Sequence, residues 1–330
     1  MPLSRARRWV TRRRGDSPDE PLVFGGSASP RLAAAICGHL GTSLGRSELL
    51  RFSEGTLFVR VLENVRGRHV YLVQSTVFPA NDNLVELLFW IDAFKRASAA
   101  SVTVVVPYFA YGKGDKKDEP RVSIRARVCA DAIEVAGADR VVTMDLHAPQ
   151  IQGFFRVPVD DLYAMPLLCS AVRELGLADP VVVSPDAGFA KKARRYAARL
   201  QTPLAIADKM RRDHDEAAEV VEVIGDVAGK DAVLVDDVTF SAGTLVEAAE
   251  QLEARGARSV HAAVSHAALS EAGVTRLGAS SIRRLITTDS IETQPVALGE
   301  KVRTVSVAPL FAEAIRRIDR RESISSLFAE

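Results

Sequence analysis

The sequence predicts an α/β protein made of two doubly wound domains with mainly parallel sheets. Three observations carry that expectation. Short β-rich apolar runs alternate with longer amphipathic segments along most of the chain. Runs such as 102–106, 181–184, 232–235 and 260–264 are apolar at consecutive positions, as strands covered on both faces require. The length of 330 residues suits two cores of ordinary size.

In chain order, strands are expected at 22–24, 70–74, 102–106, 140–144, 181–184, 232–235, 260–264, 285–287 and 304–307. Helices are expected at 30–40, 83–97, 124–136, 162–175, 189–200 and 243–255, where apolar residues recur at i, i+3 and i+4. Gly41, Gly137, Gly176 and Gly256 supply stop signals just beyond four of these helices. The segment 51–65 differs, because its alternation about Glu54-Gly55 predicts a hairpin or short two-stranded flap. A boundary near 158–166 divides the chain into a first domain of 22–162, rejoined by 308–330, and a second of 163–307.

Residues 1–21 stand apart: Arg5, Arg7, Arg8, Arg12, Arg13 and Arg14 crowd together without an apolar stretch after them. A disordered basic tail is the expectation, rather than a secretory signal or a nucleic-acid arm. With 47% hydrophobic residues, 26% charged and a formal net charge of +1, the composition is that of a soluble globular protein. It offers no global field for nucleic acid or an acidic membrane. Cys37, Cys129 and Cys169 lack pairing or metal spacing and read as reduced thiols of a cytoplasmic protein.

The segment 233–244 carries the clearest chemistry. Its apolar run, Val233-Leu234-Val235, is followed by Asp236-Asp237 at the expected carboxyl end of a buried strand. One carboxylate there serves as a helix cap, but two that repel each other call for a counter-ion or hydroxyl donors. A ribose diol, with or without Mg²⁺, supplies both. Ser241-Ala242-Gly243-Thr244 then opens a helix, where free N–H groups and the positive dipole end attract phosphate. Ser241 and Thr244 add hydroxyls, and Gly243 permits close backbone approach. The segment therefore reads as a cradle for a sugar phosphate.

Asp236-Asp237 with Ser-Ala-Gly-Thr resembles the phosphoribosyl-diphosphate motif of the ribose-phosphate pyrophosphokinase family. Further segments resemble the same family in unbroken order between 22 and 318. They include Phe24-Gly25-Gly26-Ser27, Phe52-Ser53-Glu54-Gly55, Asn81-Asp82-Asn83-Leu84, Pro107-Tyr108-Phe109, the eleven-residue run 145–155, Ser184-Pro185-Asp186 and Asp208-Lys209. The resemblance implies two phosphoribosyltransferase-like domains and transfer of the diphosphate of ATP to the C1 hydroxyl of ribose 5-phosphate, giving phosphoribosyl diphosphate and AMP.

Residue by residue, the resemblance implies Lys209 and Arg211 as the catalytic basic pair. It places Phe52, Glu54, Lys113, Asp115 and Lys116 at ATP, and His147 and Asp186 at Mg²⁺, the expected cofactor. Asp236, Asp237, Ser241, Ala242, Gly243 and Thr244 would hold ribose 5-phosphate. It also implies a homo-oligomer with shared sites, because the family's flap reaches adenine in a neighbouring subunit. Taken by themselves, His147 is a loop histidine, Lys209 and Arg211 belong to a charged loop, and 111–127 is an exposed hydrophilic segment.

The chain departs from the family pattern at four places. Phe240-Ser241 stands where Asp-Thr is usual, Lys113-Gly114 where Arg-Gln is usual, and Thr56 replaces a second acid in the flap. Gly188-Phe189 replaces Gly-Gly after Asp186. Phosphate- and metal-facing positions are largely retained while sugar- and base-facing ones change. A paralogue acting on another sugar phosphate, or a non-catalytic regulatory relative, is the alternative expectation.

Overall fold

The computed structural model describes residues 20–210, 220–292 and 296–328. In the first half the order is β1 (Leu22–Gly25), α1 (Pro30–Leu40), β2 (Ser47–Arg51), β3 (Leu57–Val61), β4 (His69–Val73), α2 (Ala80–Arg96) and β5 (Ser101–Val106). Then come α3 (Arg125–Ala136), β6 (Arg140–Met144), β7 (Val159–Leu162) and α4 (Met165–Arg173). The second half contains β8 (Pro180–Ser184), α5 (Ala190–Leu200), β9 (Leu204–Met210), β10 (Val220–Ile224), β11 (Asp231–Thr239) and α6 (Gly243–Ala254). It finishes with β12 (Ser259–Ala267), α7 (Glu271–Ala279), β13 (Arg284–Thr288), β14 (Val302–Val305) and α8 (Ala308–Asp319).

Two main sheets result. The first runs β1-β4-β5-β6-β7 and is parallel throughout. The second runs β10-β9-β8-β11-β12-β13-β14, parallel except for β10 against β9. β2 and β3 form a separate antiparallel hairpin, as the alternation about Gly55 predicts. No helix among the described residues is long and apolar enough to cross a membrane.

A shared core lies between the sheets. Val73, Val105 and Met144 of the first sheet join Val182, Val233 and Ile286 of the second in one buried cluster. Phe311 and Ile315 of α8 belong to it too. Burial of such side chains is worth about 1.5–3 kcal/mol each, so this layer holds the halves in fixed register. Separate clusters cover the outer faces, under α2 and α3 on one side and under α6 and α7 on the other.

Several sequence-based boundaries are corrected. Leu162, expected to start a helix, ends β7 opposite Met144, and α4 begins at Met165 with a proline in its first turn. The strand expected at 304–307 lies at Val302–Val305, because Val307 caps α8 and Pro309 occupies its first turn. β7, β9, β10 and α7 were not foreseen: each is short, and β7 and β9 carry charged residues within them. The acids do not follow a strand that ends at Val235. β11 continues through them to Thr239, held by pairing of Val238 with His266 and Thr239 with Ala267 on the equally long β12.

Candidate active site

The second sheet reverses its winding between β8 and β11. From β8 the chain passes through α5 to β9 on one side, whereas β11 and then β12 lie on the other. Loops leaving the carboxyl ends at such a switch point diverge and open a crevice. Asp186 follows β8, and Asp236 and Asp237 lie near the end of β11, so all three acids border this crevice.

The acid pair is unequal. Burial, then the charge of Asp237, holds the Asp236 carboxyl well above its ordinary range. Asp237 is only 6% exposed, and burial opposes its ionisation. A hydrogen bond from His147 and the positive charge of Lys192 outweigh that penalty and draw it below the ordinary range. His147 Nδ1 lies 2.8 Å from Asp237 Oδ2, and Lys192 Nζ lies 3.8 Å from the same oxygen. His147 follows β6 in the first sheet, so the contact joins the two halves directly over the crevice.

Lys192 secures the loop that presents His147. Its Nζ donates to Leu146 O at 3.0 Å and to His147 O at 3.2 Å. It sits in the first turn of α5, where the helix dipole disfavours a cation. That unfavourable placement is the sequence signal that could have marked Lys192 as facing negative charge, a role the sequence reading missed.

Beneath His147, Asp145 ties the sheets together. Its Oδ2 accepts from Ser265 Oγ at 2.6 Å and from Ala164 N at 3.1 Å. Asp161, pushed up to about 7 by burial and then by the charge of Asp145, accepts from Leu146 N at 3.1 Å. His266 contacts Met144 O at 3.0 Å and Ser290 Oγ at 2.8 Å, and burial draws its pKa down. A cavity of about 510 Å³ opens above these groups, with His147, Asp237, Gln150, Lys191, Lys192 and Asp161 in its wall.

The loop 241–244 opens α6 without a side-chain cap at its first turn. Ala242 takes a left-handed conformation at φ 55° and, as N-cap of α6, has no polar side chain with which to cap the first turn. Ser241 Oγ accepts from Gly243 N at 3.3 Å. Ser241 and Thr244 are exposed, whereas Ala242 and Gly243 are buried, so the hydroxyls rim a backbone floor. Below the floor, a Cβ on Gly273 would stand 2.4 Å from Phe240 O, which makes glycine obligatory where α7 supports the loop.

The residues expected at ATP are less closely gathered. Lys113 occupies a short 3₁₀ turn, Gly112–Gly114, and shares a narrow crevice with His147 and Asp237. Lys116 is exposed, but Asp115 is buried and accepts from Gln150 Nε2 at 2.6 Å, so this carboxylate faces the protein. A Cβ on Gly114 would meet Arg125 Nε at 2.6 Å, so a larger residue there must push aside the exposed arginine side chain at the start of α3. Phe52 is 46% exposed on the hairpin, beside Phe58. Glu54 accepts from Thr56 Oγ1 at 2.8 Å, a bond that lowers its pKa. Neither Phe52 nor Glu54 lines the cavity.

Asp186 is exposed and accepts from Phe189 N at 2.8 Å. Among the described residues no three His, Cys, Asp or Glu side chains converge to hold a metal by themselves. Mg²⁺ commonly takes one or two carboxylates and completes its shell with water and substrate phosphate, and this open donor set is of that kind. Lys209 lies in β9 opposite Val221 of β10. Arg211 and the basic tail 1–19 lie outside the described residues.

Residues 22–137 match the N-terminal domain of ribose phosphate pyrophosphokinase, and 216–329 match the phosphoribosyl synthetase-associated domain. A ribose-phosphate pyrophosphokinase from Caldanaerobacter subterraneus subsp. tengcongensis is 50% identical over 307 residues, covering 93% of this chain and 97% of the relative. One from Rhizobium meliloti is 49% identical over 308 residues, covering 93% and 99%. The crystal structure of phosphoribosylpyrophosphate synthetase from Mycobacterium smegmatis is similar with a TM-score of 0.86 at 37% identity, covering 92% of this chain and 99% of that one.

Proposed function

This chain belongs to the ribose-phosphate pyrophosphokinase family, and from that premise we propose that it transfers the diphosphate of ATP to the C1 hydroxyl of ribose 5-phosphate. Attack by the C1 oxygen on the β-phosphorus forms the new P–O bond and breaks the bond from the β-phosphorus to the oxygen bridging it to the α-phosphorus; that oxygen leaves with AMP, and the C1 hydroxyl proton passes to solvent. The products are 5-phospho-α-D-ribose 1-diphosphate and AMP. The observation that carries this reading is the meeting of His147 and Asp237 from two different sheets, beside an acid pair and an anion loop.

The 5-phosphate fits the N–H groups and hydroxyls of 241–244, and Asp236 and Asp237 fit the ribose hydroxyls above them. Asp237, held ionised by His147 and Lys192, can accept a hydrogen bond from the sugar. Asp236, whose carboxyl is pushed up by burial and by the charge of Asp237, holds a proton more readily and in that form can also donate one. Lys113 and Lys116 orient the ATP phosphates, while Lys209 and Arg211 stabilise the migrating diphosphate. His147 and Asp186 are the residues that would hold Mg²⁺, which supplies charge neutralisation on the triphosphate. Phe52 and Glu54 receive adenine best from a second copy of the chain, since they lie outside this cavity. Exposed Leu50, Phe52, Phe78, Val85 and Phe89 on the hairpin and around α2 support such a homo-oligomer.

Incubation with Mg²⁺, ATP and ribose 5-phosphate is expected to release AMP together with phosphoribosyl diphosphate. No AMP across varied phosphate and metal concentrations would sink the proposal, and AMP released only with another sugar phosphate would redirect it. Lys209→Ala is expected to abolish turnover while leaving ATP binding largely intact.

A further inference from the structure

Phe240 stands next to the anion loop, yet its ring belongs to a different environment. It packs against a small cluster of Val77, Ala268 and Ile291 and meets Tyr108 edge-on at 6.4 Å. Tyr108 in turn meets His266 edge-on at 5.1 Å, and His266 is bonded to Met144 O and Ser290 Oγ. The ring is thus fixed from below by groups of both halves. From the other side Lys113 Nζ lies 5.4 Å from its centroid. The same ammonium's residue lines the narrow crevice with His147 and Asp237.

The backbone around Lys113 is held independently. Gly114 N donates to Tyr111 O at 2.8 Å, and Arg125 occupies the space a Cβ on Gly114 would need. What remains undetermined by the backbone is the direction of a long, flexible ammonium side chain. An aliphatic residue at 240 could occupy part of this apolar space, but only an aromatic face attracts a cation. We propose that Phe240 is a positioning residue for the nucleotide side of the site: its ring pre-orients Lys113 over the crevice so that the ATP phosphates meet an aligned cation. The inference rests on Lys113 acting at the ATP phosphates, as proposed above, and adds a link between that residue and the sugar-phosphate loop.

A double-mutant cycle on the full chain tests it, using wild type, Phe240→Leu, Lys113→Met and the double variant. ATP affinity is read by calorimetric titration with Mg²⁺-ATP, and KM for each substrate by initial rates. Phe240→Leu is expected to weaken ATP binding about threefold to fivefold, the range of an exposed cation–π contact. Its KM for ribose 5-phosphate and its kcat should stay within about twofold. Phe240→Trp should restore ATP affinity, and Phe240→Leu should add nothing in the Lys113→Met background. Equal losses in both backgrounds, or a loss confined to ribose 5-phosphate, overturn the inference and leave Phe240 as packing for the loop. If Phe240→Leu does not fold, Phe240→Met takes its place, refilling the apolar volume. Coupling seen by titration in a protein that releases no AMP would reject the proposed reaction alone; AMP release without coupling would reject the positioning role alone. Failure of wild type to bind ATP would reject both.

Discussion

The proposed sugar-phosphate side and the proposed nucleotide side of this molecule are built by different means. Asp236, Asp237 and the loop 241–244 rest on two long central strands and on a glycine of α7 that admits no side chain. Their charges are already set by burial, His147 and Lys192. Phe52 and Glu54 instead project from a two-stranded hairpin outside the cavity, and Lys116 is an exposed side chain beside the buried Asp115. Preorganised charge acts strongly on a developing transition state, whereas an exposed residue contributes only after a ligand or a second surface orders it. The two sides should therefore answer very differently to mutation.

The largest effect is expected at the acid pair. Asp237→Asn removes the charge that His147 and Lys192 compensate and should lower kcat/KM on the order of 10²-fold or more. Retention of activity within tenfold would break the contrast between the two sides. Next comes Gly273→Ala, whose Cβ would meet Phe240 O at 2.4 Å and must displace the loop. A stability loss of about 1–3 kcal/mol is expected in denaturant melts, with KM for ribose 5-phosphate rising more than KM for ATP.

Asp161→Asn should act through pH. Its folded pKa of about 7 lies above the ordinary 3.8, so the folded state keeps a proton that the unfolded chain releases. The resulting stabilisation is complete below about pH 4 and is lost as pH rises through 7. Asn bears no such penalty, so the variant should gain on wild type between pH 5 and pH 8 by about 1–3 kcal/mol. Thermal melts at the two pH values measure this, and a gap that does not widen with pH would show that Asp161 carries no buried charge. The smallest effect is expected from Glu54→Gln on the hairpin, about twofold to threefold in KM for ATP. A loss approaching that of Asp237→Asn would mean that the hairpin is as fully organised as the acid pair.

The resemblance along 22–318 and the strand, acid pair and helix start of 233–244 were legible because their signals are local. Consecutive apolar residues mark doubly covered strands, and a helix opened by small hydroxyl residues marks an anion site without reference to the rest of the chain. The hairpin about Gly55 was legible for the same reason. Short elements such as β7 and β9 were missed because charged residues interrupt their apolar pattern, and pairing with neighbouring strands decides their conformation.

By itself, then, the sequence determined the alternating α/β architecture, the acid pair, the loop that opens α6 and the family resemblance. Only the tertiary structure decided that His147 meets Asp237, that Lys192 reaches across to the His147 loop, and that Asp115 turns inward to Gln150. It also decided that Phe240, conspicuous beside the loop, turns its ring toward Tyr108 and Lys113. The reason is physical: periodicity and loop chemistry act between residues a few positions apart, whereas burial, charge compensation and ring contacts depend on which distant segments the shared core brings together.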